Sequence, residues 1–239
     1  MPMPTEPPPI EPKIHAIPTL CSTLDNILKG GLKLGFITTI FGEYGTGKTT
    51  LSLQASLSCC LLGFKVYYIC ADAQFPATRL EKIALTRGLA LDFLTKISVF
   101  KLNSFKEQAI FISSLPLQLE EEVKLLVFDA INALYRSSLT ADAKRTALLN
   151  QQLNKQLGIL KWLSKNRSIA ILLTSQVRAS PEDSSEEPVA SSILDYWSDV
   201  LMKLERTEAV DKRKIKVLKL YSQQSSLEAD VELTDGGFM

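Results

Sequence analysis

Residues 42 to 49 read Gly-Glu-Tyr-Gly-Thr-Gly-Lys-Thr. Glycines, a lysine and a hydroxyl residue at the spacing GxxxxGK[ST] are the parts of a phosphate-binding loop. Glycine lets successive backbone N–H groups turn inward onto phosphate oxygens, and a helix opening at the loop adds its positive end. In such a loop Lys48 would reach the β- and γ-phosphates, and the Thr49 hydroxyl would help hold Mg²⁺. The candidate ATP-binding set is therefore Gly42, Glu43, Tyr44, Gly45, Thr46, Gly47, Lys48 and Thr49, with Thr50 behind them. A second candidate is Asp129, which closes the apolar run Leu125-Leu126-Val127-Phe128. An acid at the end of a buried strand suits the support of a Mg²⁺ shell through water. The plainer alternative is an aspartate that caps the next helix.

A phosphate loop needs a strand before it and a helix after it, and the sequence supplies both. Phe36–Phe41 is β-branched and aromatic, and Thr49–Leu62 has helical length. Lys65–Cys70, Ile97–Phe100, Leu125–Phe128 and Ile169–Thr174 read as further strands. Between them lie helical stretches around Arg79–Arg87, at Phe105–Leu119 and at Arg145–Lys165. Continuous apolar strands alternating with helices predict an α/β fold, a mainly parallel twisted sheet with helices on both faces. Val200–Arg206, Ile215–Tyr221 and Val231–Thr234 follow without intervening helices and predict a C-terminal antiparallel extension. One domain, residues 18–239, is expected behind a proline-rich flexible tail at 1–17. Residues 179–192 (ASPEDSSEEPVASS) hold four acidic residues, no basic ones and two prolines, the composition of a mobile loop.

Composition narrows the function. The 239 residues are 46% hydrophobic and 22% charged, which excludes a disordered or collagen-like chain. Lys+Arg 27 against Asp+Glu 26 gives a net charge of +1, so any nucleic acid would have to meet a local patch. The single histidine, His15, argues against a histidine metal site or a Ser-His-Asp triad. Four cysteines, Cys21, Cys59, Cys60 and Cys70, show no CxxC spacing, as suits a reducing, cytoplasmic setting. No apolar run has the length of a membrane span; the nearest, Leu51–Gly63, is broken by Ser52, Gln54, Ser56 and Ser58. The N-terminus lacks the order of a signal peptide.

The residues also carry a family resemblance. Pro18–Thr49 (PTLCSTLDNILKGGLKLGFITTIFGEYGTGKT) resembles the opening of the RecA/RadA recombinase core, where a T-G-x-x-x-L-D-x-x-L-G-G-G phrase leads into the phosphate loop. Leu125–Arg136 (LLVFDAINALYR) is similar to the family's Walker B segment, and Leu172–Val177 (LLTSQV) to its strand-end T-N-Q-V. The resemblance implies ATP and Mg²⁺ as cofactors, catalytic roles for Lys48 and for a water-activating acid at Asp72, and a γ-phosphate sensor at Gln176. It implies DNA, the main recombinase or other repair proteins as partners, and no membrane. The sequence shows neither the helix-hairpin-helix domain of strand-exchange members nor a clear Phe-x-x-Ala polymerisation handle, so strand exchange is not expected.

Three departures from the family pattern bear on mechanism. The water-activating glutamate falls on Asp72, one methylene shorter, which is expected to weaken hydrolysis; the alternative is an ordinary strand-end aspartate. Ser175 stands where the family has asparagine, leaving Gln176 either a sensor or a polar strand end. The loop that tracks DNA in strand-exchange members is acidic here and should repel phosphates. DNA contact is instead expected at Arg136, Lys144 and Arg145, or along Lys203–Lys219. That stretch carries seven basic and three acidic residues and includes Lys212, Arg213, Lys214 and Lys216. Solvated faces explain most such runs equally well. The leading expectation is an ATP-binding accessory factor in recombination and repair with weak hydrolysis. Alternatives are a KaiC-like signalling ATPase and a nucleotide-gated adaptor that does not bind DNA.

Overall fold

The computed structural model describes residues 14–71, 73–179 and 186–239. A small ribbon comes first, β1 (Ala16–Ile17) joined through α1 (Ser22–Ile27) to its antiparallel partner β2 (Leu32–Lys33). The main alternation follows: β3 (Ile37–Phe41), α2 (Lys48–Leu61), β4 (Lys65–Cys70), α3 (Ala77–Thr86), a 3₁₀ turn at Asp92–Lys96, β5 (Ile97–Lys101), α4 (Phe105–Gln118) and β6 (Val123–Asp129). It continues through α5 (Ala133–Ser138), α6 (Ala143–Arg167) and β7 (Ala170–Ser175). The chain then forms β8 (Val177–Ala179), β9 (Glu186–Pro188), α7 (Ser191–Trp197), β10 (Val200–Arg206), β11 (Lys212–Leu220), β12 (Gln223–Thr234) and β13 (Gly237–Phe238). Nine strands make one sheet in the order β13-β12-β11-β10-β3-β7-β6-β4-β5. From β10 to β5 the neighbours are parallel, and β10 to β13 form the antiparallel extension.

Strand alternation divides the core in two. Ile40, Val66, Tyr68, Cys70, Leu125, Val127 and Leu172 join a cluster with Leu51, Leu53 and Leu57 of α2 and Leu80 and Ile83 of α3. Ile37, Tyr67, Ile69, Leu126, Phe128, Ile171 and Leu173 face Ile112 and Leu115 of α4 and Leu153, Leu157, Leu160 and Leu163 of α6. Each buried leucine contributes about 2 kcal/mol of transfer energy, so both faces are firmly held. Helix α2 is buried continuously from Leu51 to Cys60, which is why its serines and glutamine do not alternate with its apolar residues as on a surface helix. Among the described residues Asp199 is the one buried carboxylate: its Oδ2 accepts from the Ile37 amide at 2.8 Å and pairs with Lys161 Nζ at 2.5 Å, pinning β10 beside β3.

Three boundaries differ from the sequence reading. Ala16 and Ile17, assigned to the flexible tail, pair with Lys33 and Leu32, and Ile17 is fully buried; residues 1–13 lie outside the described residues. Part of the 179–192 loop is ordered, because Ala179 pairs with Glu186 and Ser191 opens α7; residues 180–185 lie outside the described residues. The strand expected at Val231–Thr234 extends back to Gln223. Backbone pairing with β11 makes a strand of a polar sequence that local propensity assigns to a loop.

Candidate nucleotide-binding site

The parallel strands deliver their carboxyl ends to one edge of the sheet, where ligands bind in folds of this type. Register fixes the arrangement: Phe41 pairs with Ser175, and Cys70 pairs with Asp129. Gly42, Asp129 and Gln176 therefore emerge side by side. A cavity of about 590 Å³ opens there, lined by Gly42, Gly45, Lys48, Thr49, Thr50 and Asp129 and also by Thr174, Gln176 and Arg136.

The loop has the shape that its sequence predicts. Gly47 holds φ +106° at the N-cap of α2. A Cβ on Gly42 would lie 2.2 Å from the Leu204 carbonyl oxygen, so only glycine passes there. Lys48 Nζ donates to the carbonyls of Gly42 and Glu43, each at 2.7 Å, and so lies across the loop. Glu43 and Thr46, both placed in the ATP-binding set, do not line the cavity; the buried Thr46 hydroxyl donates to the Glu43 carbonyl at 2.9 Å and braces the turn. Arg206 Nη2 donates to the Tyr44 carbonyl at 2.5 Å, while the Tyr44 side chain is 95% exposed.

Asp129 sits in a ring of hydroxyls. Its Oδ2 accepts from Thr49 Oγ1 and Tyr68 Oη, both at 2.8 Å, and its Oδ1 accepts from Thr174 Oγ1 at 2.6 Å. Burial and the Asp129 charge push the Tyr68 hydroxyl well above the ordinary tyrosine range, so it remains a donor. Cys70, beside Asp129, is pushed up to about 11 by burial and that same charge, and its thiol stays neutral at physiological pH. Among the described residues no group of three or more His, Cys, Asp or Glu could hold a metal by itself. The oxygens of Thr49 and Asp129 instead suit Mg²⁺, which keeps waters and takes few protein ligands. The residues present fit a Mg²⁺-nucleotide.

The Gln176 backbone is clamped. Its amide donates to Asn132 Oδ1 at 3.1 Å, and its carbonyl accepts from the Val189 amide at 3.0 Å. Asn132, fully buried, also donates through Nδ2 to Ser175 Oγ at 2.8 Å and to the Val189 carbonyl at 3.1 Å. One side chain thus ties the end of β6 to both ends of the β8–β9 hairpin. Sequence reasoning missed Asn132, Tyr68 and Thr174, since each matters only through partners at least 43 positions away. Asp72 lies outside the described residues; Ala73 and Gln74 beside it line the cavity.

The Rad51 family profile matches residues 11–239. The chain belongs to the Rad51 family. It is 35% identical over 208 residues to the DNA repair and recombination protein RadB of Methanobrevibacter smithii, covering 83% of this chain and 85% of the relative. It is 30% identical over 219 residues to the protein of that description in Methanococcoides burtonii, covering 91% and 94%. A crystal structure of the RadB recombinase superposes with a TM-score of 0.78 at 29% identity, covering 93% of this chain and 98% of that one. The nucleotide-edge geometry therefore stands on a Rad51-family sheet.

The Rad51-family chain distributes its candidate DNA residues over three places. Lys144 and Arg145 are exposed at the start of α6, where their amides are capped by Asp142 Oδ1 at 2.9 and 3.4 Å. Arg136, grouped with them by sequence, lines the cavity at the phosphate loop. The Lys203–Lys219 stretch is not a basic face. Lys212, Lys214 and Lys216 stand opposite Glu232, Asp230 and Glu228 of β12. Glu205 pairs with Lys203 at 2.9 Å and Lys216 at 2.8 Å. Burial works against the Glu205 charge, but hydrogen bonds from Lys216 and Lys203 hold its carboxyl below the usual range, so the pairing persists through neutral pH. Most of the positive excess in sequence is offset by Glu228, Asp230 and Glu232 of β12, outside the stretch counted. Among the described residues no helix is long and apolar enough to cross a membrane.

Proposed function

We propose that this Rad51-family chain is an ATP·Mg²⁺-binding accessory factor in DNA repair and homologous recombination. It binds DNA and the main recombinase or other repair proteins, hydrolyses ATP slowly and does not exchange strands itself. The observation that carries the reading is the hydroxyl-ringed Asp129 facing a complete phosphate loop at the carboxyl edge of the sheet. Lys48 and the first amides of α2 would hold the phosphates, and Thr49 and Asp129 the Mg²⁺, Asp129 through water. A bound Mg²⁺ would supply charge neutralisation at the phosphates. Gln176, held by Asn132, and Arg136 reach the same cavity and are assigned to the γ-phosphate end.

Asp72 is assigned as a short general base. Asp72→Glu restores the missing methylene and is expected to raise ATP turnover several-fold, measured by phosphate release. Turnover unchanged by this variant removes Asp72 from the chemistry.

DNA contact is assigned chiefly to Lys144 and Arg145, because the lysines of β11 already face carboxylates. Titrating single-stranded DNA at several salt concentrations with MgATP tests this and the function together. Replacing Lys144 and Arg145 with alanine should flatten the log-log salt slope by about 0.7 per lost phosphate contact. Alanine at Lys212, Lys214 and Lys216 should change it less. Glutamine at Glu182, Asp183, Glu186 and Glu187 should leave affinity unchanged or raise it. A stronger effect from the β11 variant would reverse the assignment, and no binding by wild type at low salt would select the adaptor reading.

A further inference from the structure

The segment from Asp235 to Phe238 is fastened to two helices beside the phosphate loop. Gln54 of α2, fully buried, spends both ends of its amide on one residue: Oε1 accepts from the Phe238 amide at 2.7 Å, and Nε2 donates to the Phe238 carbonyl at 3.0 Å. Arg87 donates to the carbonyls of Gly236 at 2.7 Å and Phe238 at 2.8 Å. Arg79 donates to those of Asp235 at 2.9 Å and Thr234 at 2.8 Å, and Lys82 pairs with Asp235 at 2.8 Å. A Cβ on Gly237 would meet Gln54 Oε1 at 2.5 Å, so the approach requires glycine.

What this fastening places is the Phe238 ring. It is 1% exposed and lies against Gly47, where a Cβ would be 2.6 Å from Phe238 Cζ and 3.3 Å from Leu233 Cδ2. Gly47 is the residue whose left-handed backbone turns the loop into α2, and the amides that follow it are the phosphate donors. Burial alone could be achieved by any apolar packing. Here the buried Gln54 and the half-buried Arg79 and Arg87 address main-chain atoms of residues 234, 235, 236 and 238, and thereby fix the register of the ring against the loop.

We infer that Phe238 and Leu233 are positioning residues for the phosphate loop. They back Gly47 so that the first amides of α2 stay aimed at the nucleotide, and docking of the 235–238 segment is coupled to ATP affinity. The inference rests on the nucleotide reading above. Coupling is reciprocal: whatever docking does for ATP, bound ATP must do for docking.

Calorimetric MgATP titrations of wild type, Phe238→Ala, Phe238→Leu and Leu163→Ala test it, with Tm measured for each. Leu163 is fully buried in α6 on the opposite face and reports the loss of a core side chain alone. Phe238→Ala should weaken MgATP at least tenfold, Phe238→Leu should recover most of that, and Leu163→Ala should lose Tm with affinity within twofold of wild type. In wild type, MgATP should slow hydrogen exchange of the Phe238 amide more than that of α6 amides, a measurement that stands even if Phe238→Ala does not fold. Wild-type affinity in Phe238→Ala, an equal loss in Leu163→Ala, or Phe238 exchange indifferent to MgATP overturns the coupling while leaving the nucleotide site intact. Failure of wild type to bind MgATP overturns the nucleotide reading itself.

Discussion

Lys48→Ala is expected to lower MgATP affinity about a hundredfold while leaving the fold in place. The ammonium is the only side-chain cation of the loop itself, and its bonds run to the loop carbonyls of Gly42 and Glu43. A hydrogen bond to a charged group contributes about 1.5–3 kcal/mol, and the upper part of that range corresponds to two decades in Kd. The cost to folding is small, because Lys48 is half-exposed at the first turn of α2 and its bond to the Glu43 carbonyl is exposed, so water replaces it there. Lys48→Arg should not rescue: the planar guanidinium is bulkier than the point charge the loop encloses. Titration of folded Lys48→Ala, with circular dichroism confirming the fold, decides the matter. Undiminished affinity would remove Lys48, and with it the loop, from nucleotide binding.

The phosphate loop and Asp129 were legible because each is written in a few contiguous residues. A glycine pattern between an apolar strand and a helix, and an acid at the end of LLVF, carry their geometry locally. The parallel sheet was legible for the same reason, since β3, β6 and β7 are apolar runs bounded by breaks. Charge was not. The Lys203–Lys219 stretch reads as basic along the chain, yet β12 brings Glu228, Asp230 and Glu232 across from its lysines. Pairing of that kind appears only when the register is known, and β12 itself has the serine, glutamine and acidic content of a loop. Helix α7 escaped for a related reason: Ser191–Trp197 is too short to display a period, and what holds it is Trp197 donating to Asn154 at 3.0 Å and packing against Gly158. Arg136 lines the cavity while Lys144 lies at the start of α6, a separation that proximity in sequence does not show.

Asp129→Asn is expected to abolish the Mg²⁺-dependent part of ATP affinity and also to destabilise the protein, and the two effects can be separated. The carboxylate accepts three hydroxyl bonds, from Thr49, Tyr68 and Thr174. An amide offers one acceptor oxygen and presents N–H groups where an acceptor stood, so at least one hydroxyl loses its partner. For the fully buried Tyr68 that loss costs about 1–3 kcal/mol. Tyr68→Phe removes the donor that would be stranded, so the double variant should regain part of the lost Tm. It should not regain the Mg²⁺ effect, because the missing negative charge cannot be supplied by packing. Tyr68→Phe alone should retain that effect, since Thr49 and Thr174 still orient the carboxylate. Nucleotide titrations with and without Mg²⁺, run beside thermal melts on all four members of the cycle, give both readouts. A double variant that recovers Mg²⁺ dependence along with Tm would make Asp129 a structural acceptor for Tyr68 and nothing more. Recovery of Tm alone leaves it the carboxylate that holds the metal's water shell.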